Sequence, residues 1–260
     1  MCLILFRFDP SNRYPLVVAA NRDEAYARPT QTAHYWPDQP HIYAGRDLQA
    51  QGSWLGVNQQ GQFAALTNFR DGQQTTHSGP SRGELVTEFL RQQQGGLDFL
   101  TKIRAKADQY QGFNLLIGDQ HQLWHLSNRS HDLAITELKP GHYGLSNHLL
   151  DSPWPKSEQG KLKLQHALNR PQQDWPFALQ QLLLDEQSYP DTELPETGVS
   201  QEIERLLSPI FIRSEHYGTR SSSIVVMDRD RQELLFQELN YPLGDKTKQK
   251  SHQALIAINN

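Results

Sequence analysis

A chain of 260 residues with one cysteine, Cys2, has no intrachain disulfide framework. Its stability has to come from a packed core, and a reducing, cytoplasmic compartment suits it. Basic excess is missing too: 25 Lys and Arg stand against 29 Asp and Glu, for a net charge of −4. That balance argues against sequence-independent nucleic-acid binding, which needs a basic surface. No apolar run reaches the roughly 18 residues expected of a membrane span. Met1 to Phe8 is apolar but short, is interrupted by Arg7, and lacks the basic lead and small-residue cleavage site of a signal peptide. HExxH, CxxC and CxxCH do not occur, nor does a Walker loop, a dinucleotide-binding glycine fingerprint or a GxSxG elbow. No metal set is expected. His121 and His125 are four apart on a strand-like segment, which separates them by roughly 13 Å. Covalent haem attachment is excluded by the missing CxxCH. Noncovalent haem stays open, with a His, a Tyr or the Cys2 thiolate as axial ligand. His34, His77, His142, His148 and His216 all lie near polar or loop segments, and nothing ranks them.

What is present is enough for a core: 37% apolar residues and 9% aromatic. A single domain over 1–260 is expected, with no readable pattern from about residue 246 onward. Cys2 to Phe8 reads as a strand, Asp9 to Asn12 as a turn, and Pro15 to Asn21 as the antiparallel partner. Both strands are apolar on both faces, which suits a sheet covered on each side. Trp54–Val57 and Gln62–Asn68 read as strands. Ser81 and Glu84 resemble a capping box opening a helix with Leu85, Val86, Phe89 and Leu90. A second helix follows from Leu97 to Ile103. Strand patterning returns at Phe113–Gly118, Gln122–Leu126 and Leu133–Leu138. Helical patterning covers Lys156–Asn169 and Pro176–Leu184, and Ser200 caps a helix running to Leu207. Ile210–Arg213, Ser221–Asp228 and Leu234–Leu239 read as strands. Runs of strands alternating with runs of helices predict an α+β fold. Two antiparallel sheets between helix layers, a four-layer αββα sandwich, fit that order.

Cys2 carries the chemical interest. If Met1 is removed, the thiol and a free α-amine share one residue, a nucleophile with its own general base, as in N-terminal-nucleophile (Ntn) hydrolases. The polar run Asn21-Arg22-Asp23-Glu24 ends the second strand. If Phe8 pairs with Pro15, Cys2 lies opposite Asn21, and Asn21 and Asp23 share its face. A one-residue slip puts Arg22 beside it instead. A carboxylate there orients an α-amine, and an arginine favours a thiolate. The competing reading is a surface turn with ordinary salt bridges. Asn21, Arg22, Glu24 and Trp54 are the candidate ligand-binding residues. Trp54 lies in Gly52-Ser53-Trp54-Leu55-Gly56, whose glycines would let backbone approach a ligand. The other tryptophans read as packing anchors. Lys156, Lys161 and Lys163 read as the solvated face of a helix.

MCLI at the start, NRDE at 21–24, GSWLG at 52–56 and Leu66-Thr67-Asn68 together resemble the NRDE family, also called the transport and Golgi organisation protein family. Gly144-Leu145-Ser146-Asn147 with Asp151-Ser152-Pro153-Trp154-Pro155-Lys156, and Thr219-Arg220-Ser221-Ser222, look like its later signatures. The resemblance runs from Met1 to about Leu239. It implies an Ntn-hydrolase-like fold near the choloylglycine hydrolase and penicillin acylase group, which cleave linear amides. It also implies catalytic roles for Cys2 as nucleophile, Asp23 as its acidic partner, Asn68 and Asn147 as oxyanion asparagines, and Arg220 as the late arginine. Family members are linked to haem trafficking and to acyl-coenzyme A or lipid handling. Two functions are therefore expected. One is a cysteine hydrolase or acyltransferase acting on a small-molecule amide or thioester, with no required cofactor. The other is a non-catalytic carrier of haem or acyl-CoA.

Overall fold

Apolar residues on both faces of the first hairpin demand cover on both sides, and that requirement organises the molecule. The computed structural model describes residues 2–73, 79–92 and 94–259, so Met1 and His77 lie outside the described residues. The chain opens with β1 (Cys2–Phe8), β2 (Leu16–Ala25), β3 (Thr30–Trp36), β4 (Gln39–Asp47), β5 (Leu55–Asn58) and β6 (Phe63–Asn68). Two helices follow, α1 (Gly83–Arg91) and α2 (Gly96–Arg104), then β7 (Phe113–Gly118), β8 (Leu123–Ser127), β9 (Ile135–Glu137) and β10 (Gly141–Leu145). After α3 (Pro155–Leu168), α4 (Trp175–Leu183) and α5 (Gln201–Leu206) the chain ends in β11 (Tyr217–Asp228), β12 (Glu233–Asn240) and β13 (Lys250–Ala257).

Among the described residues the strands form two sheets, six-stranded β10-β1-β2-β11-β12-β13 and seven-stranded β3-β4-β5-β6-β7-β8-β9. Every pairing is antiparallel. Ile4, Phe6, Phe8 and Val18 from the first sheet meet Leu55, Val57, Phe63 and Leu116 from the second, forming the central core. The alternate residues Leu3, Leu5, Val17 and Ala19 pack outward against α3 and α4. Ala64, Leu66, Leu115 and Ile117 pack outward against α1 and α2. The result is the expected four-layer αββα sandwich. Each fully buried Leu, Ile, Val or Phe contributes about 1.5–3 kcal/mol of burial free energy. No helix among the described residues is long and apolar enough to cross a membrane.

Several local expectations change. The hairpin takes the slipped register: Phe8 pairs with Leu16 and Cys2 with Arg22. Pro15 has no N–H for the ladder; its carbonyl instead accepts Asp9 N–H at 2.9 Å, so pairing starts one residue later. The capping box does not form. Helix α1 starts at Gly83 with no side-chain cap, and Glu84 accepts the Tyr110 hydroxyl at 2.6 Å. Ile210–Arg213 is not a strand. The Ile212 N–H donates to Thr219 Oγ1 at 2.9 Å, and only Arg213 bridges to Gly218. Strands β3 and β4 escape sequence reading because register shifts after Gln31 and Tyr35 break their period of two. Strand β13, in the unread tail, has a mostly exposed edge but pairs with β12 throughout.

His125 of β8 is buried, and its Nε2 has no hydrogen-bond partner among the described residues. Burial lowers its pKa from 6.5 to about 4. A depressed folded-state pKa means that stability is full above pH 6.5 and falls between 6.5 and 4, where the unfolded chain binds the extra proton. The loss expected from this histidine is about 3 kcal/mol. Urea unfolding of His125→Leu at pH 7 and pH 4 is expected to show a correspondingly shallower pH dependence than the native protein. Equal slopes would remove His125 as the cause.

Candidate functional site

Cys2 sits at the first position of β1, partly buried, where the hairpin opens into a cleft of about 600 Å³, open solvent included. Cys2, Arg22, Asp23, Glu24, Trp54 and Asn68 all line this cleft. Sequence reading had singled out each of them. Beneath Cys2 a narrower throat of about 210 Å³ runs between the sheets past Ile4, Ala20, Leu55 and Leu66. The cleft is therefore charged at its mouth and apolar inside.

Register decides who faces what. Arg22 lies opposite Cys2, and its guanidinium stacks 4.3 Å from the Trp54 ring centroid. It also approaches Asp47 at 3.7 Å and Glu24 at 3.8 Å. Arg28 donates to Asp47 at 2.5 Å. Burial raises the Asp47 carboxyl, but the Arg28 hydrogen bond and charge, together with the Ala50 and Gln49 N–H groups, outweigh it and hold the group below the usual carboxylate range.

Asn21 and Asp23 belong to the opposite face. Asn21 Nδ2 donates to the Leu183 and Ile210 carbonyls at 2.8 and 2.9 Å, and its Oδ1 accepts the Ser222 hydroxyl at 2.6 Å. Its side-chain amide is engaged by the fold, while the residue itself borders the throat beneath Cys2. Asp23 is buried and accepts the Thr219 hydroxyl at 2.6 Å. Burial pushes its carboxyl up, while Lys156, the Thr219 hydrogen bond and Arg70 pull it back. Burial likewise pushes the Cys2 thiol up, with Arg22 opposing.

Two residues implied by the family resemblance stand behind the cleft wall. Asn147 is fully buried and donates Nδ2–H to the Asn68 carbonyl at 2.9 Å, while its own carbonyl accepts Arg70 N–H at 2.6 Å. It positions Asn68 and does not line the cleft. Arg220 occupies the bulge in β11 and donates to the Ala25 and Arg28 carbonyls at 3.1 and 2.5 Å. It holds the turn after β2 and does not touch Cys2 in this arrangement.

Sequence reading missed Arg28, Asp47 and Arg82 on the cleft wall and misread Lys156. Lys161 and Lys163 are partly exposed and ion-paired, but Lys156 is buried and donates to the Leu207 carbonyl at 2.9 Å. Burial first, and Arg70 next, lower its pKa to about 8, with Asp23, Glu204 and Cys2 opposing. One signal was available: Lys156 falls in the first turn of α3, where the helix dipole disfavours a cation. The GSWLG glycines also act differently from expectation. A Cβ on Gly52 would lie 2.5 Å from the Gly83 backbone, so the residue is small to admit the protein's own chain. Gly52→Ala is expected to cost about 1–3 kcal/mol by overpacking, read as a lowered urea midpoint. An unchanged midpoint would show that the two walls move apart freely. Among the described residues no cluster of His, Cys, Asp or Glu is arranged to hold a metal.

A solved structure of the C2A mutant of the conjugated bile acid hydrolase from Clostridium perfringens aligns over 100% of this chain and 99% of its own. The TM-score is 0.50 at 8% identity, which shows a shared fold and nothing finer. In sequence, the human Transport and Golgi organization protein 2 homolog is 35% identical over 249 residues, covering 88% of this chain and 90% of the relative. The Bos taurus homolog is 34% identical over 249 residues with the same coverage. A family model described as Transport and Golgi organisation 2 matches residues 1–241. With a matching sequence over most of its length and an Ntn-hydrolase-type sandwich around Cys2, the chain belongs to the Transport and Golgi organisation 2 family.

Proposed function

We propose that the cleft is a thiol site of the Ntn type, which hydrolyses a linear amide or thioester or passes its acyl group to an acceptor. The observation that carries this reading is that Cys2, buried Asp23 and Asn68, from the two facing sheets, all line one cleft. The fold neighbour supports it, since a conjugated bile acid hydrolase studied as its C2A mutant also carries a cysteine at position two.

The chemistry requires removal of Met1. The α-amine of Cys2, with a reference pKa of about 7.7–8.0, takes the thiol proton as sulfur attacks the carbonyl carbon. The carbonyl electron pair moves to oxygen, where the Asn68 side-chain amide donates a hydrogen bond. One well-placed donor of this kind is worth about 3–4 kcal/mol. Collapse expels the amine or thiol, which leaves with the proton held on the α-amine. Water or an acceptor then attacks the thioester by the same steps. Asp23 holds the protonated amine in place.

A second reading is carriage of haem or an acyl-CoA without turnover. It is favoured by the raised thiol pKa, which leaves less of Cys2 as the nucleophilic thiolate. Among the cleft-lining residues Cys2 also supplies the one soft donor for a haem iron.

Intact-mass analysis of protein isolated without a tag, before and after incubation with amide and thioester probes, separates the readings. A chain lacking Met1 that gains one acyl group on Cys2 supports the catalytic reading. A chain retaining Met1 together with a bound ligand supports carriage. A chain lacking Met1 that neither acylates nor turns over any probe would sink the catalytic proposal.

A further inference from the structure

The mouth of the cleft carries three guanidinium groups, from Arg22, Arg28 and Arg82. The first two are committed, with Arg22 approaching Glu24 and Asp47 and Arg28 bonded to Asp47. Arg82 is different. It lies just before α1, is partly buried, and donates Nη1–H to the Gly112 carbonyl at 3.1 Å. No carboxylate among the described residues forms an ion pair with it. The third acid on the wall, Asp23, is buried against Thr219 and is offset from behind by Lys156 and Arg70. The front of the cleft thus holds three cations against two carboxylates, with the surplus charge at Arg82.

Partial burial of an uncompensated guanidinium is unfavourable, and the fixed fork of Arg suits carboxylate, phosphate and sulfonate oxygens. Cys2 and Glu24 are the acids that act electrostatically on Arg82, with Arg28 opposing, so Arg82 and the nucleophile share one field. The throat under Cys2 is lined by Ile4, Ala20, Leu55 and Leu66, and its one cation is Arg22, which already faces Glu24 and Asp47. We propose that Arg82 binds an anionic group of the substrate, a carboxylate, phosphate or sulfonate, at the cleft mouth beside the bond that Cys2 attacks. The inference rests on the thiol-site reading and narrows it: the amide or thioester carries a negative charge outside its acyl group.

The test uses the single thiol. Iodoacetate and iodoacetamide are similar in size and differ by one negative charge, and both add to Cys2, so intact mass gives two rates on one atom. In the native protein the ratio of the iodoacetate rate to the iodoacetamide rate is expected to be about tenfold higher than in Arg82→Gln, the range of a hydrogen bond to a charged partner. Arg104→Gln, at an exposed position of α2, is expected to keep the native ratio. The iodoacetamide rate reports whether each variant keeps the folded environment of Cys2. If Arg82→Gln does not fold, protection of the native protein decides. Phosphate or acetate is then expected to slow alkylation saturably, and beyond what chloride does at the same ionic strength. The stronger protector identifies a phosphoryl or a carboxylate substrate. A native ratio in folded Arg82→Gln, or protection no greater than chloride gives, overturns the proposal. Neither readout needs turnover. An anion effect without acylation keeps the anion site and removes the catalytic reading.

Discussion

Cys2→Ala is expected to abolish acyl transfer from any amide or thioester that the native protein consumes, by at least about 10³-fold. The substitution removes the sulfur and leaves the α-amine, so no atom remains to form the thioester. Unfolding cannot account for such a loss. Cys2 is the first residue of β1 and only partly buried, and the core residues start at Leu3. A stability change within about 1 kcal/mol is expected for so modest a truncation. The measurement is turnover together with intact mass on variants matched for Met1 removal. Activity within tenfold of native would mean that the chemistry lies elsewhere. Ligand retention without turnover, surviving Cys2→Ala, would move the function to carriage.

Glu204→Ala is expected to destabilise the protein by about 3–5 kcal/mol. Arg70 Nη1 donates to Glu204 Oε2 at 2.5 Å, and both side chains are almost fully buried, at 5% and 2% exposed. Glu204 Oε1 also accepts the Thr197 N–H at 3.0 Å and the Thr197 hydroxyl. The Arg70 guanidinium lies over Trp154, 4.9 Å from its ring centroid. Removing the carboxylate leaves Arg70 and nearby Lys156 as buried cations, with Asp23 as the carboxylate that still acts on both. Thermal unfolding should move down by about 10 °C for a chain of this size. The double variant Arg70→Met/Glu204→Leu is expected to regain more than half of that loss, because it removes both buried charges together. A double variant as unstable as the single one would show that the carboxylate's bonds to Thr197, not the ion pair, hold this region.

Much of the site could be read in sequence because it is local. Cys2 and the Asn21 to Glu24 run sit at the same end of one hairpin, and either register brings them together. What escaped was the register itself. Where both faces of a strand are buried, a one-residue slip exchanges one apolar set for another, and no hydrophobic pattern penalises it. Pro15 breaks the tie through its missing N–H. The consequence is large: Arg22, and not Asp23, shares the face of Cys2 and stacks on Trp54.

Lys156 and Arg82 escaped for a related reason. A charge beside or within an amphipathic helix normally points to water, and sequence carries no mark of the exception. Lys156 is buried because α3 packs on β1 and β10, which brings its first turn within electrostatic reach of Asp23 and Glu204. Arg82 reaches the cleft because Gly52 and Gly83 let two backbones touch. The sequence by itself determined the layers, the nucleophile candidate and the polar run opposite it, since periodicity, β propensity and a tight turn are short-range properties. Tertiary structure decided the strand register, which asparagine and which arginines face the cleft, and the charge left over at its mouth. Those depend on contacts between segments far apart in the chain, where burial and electrostatics act through space.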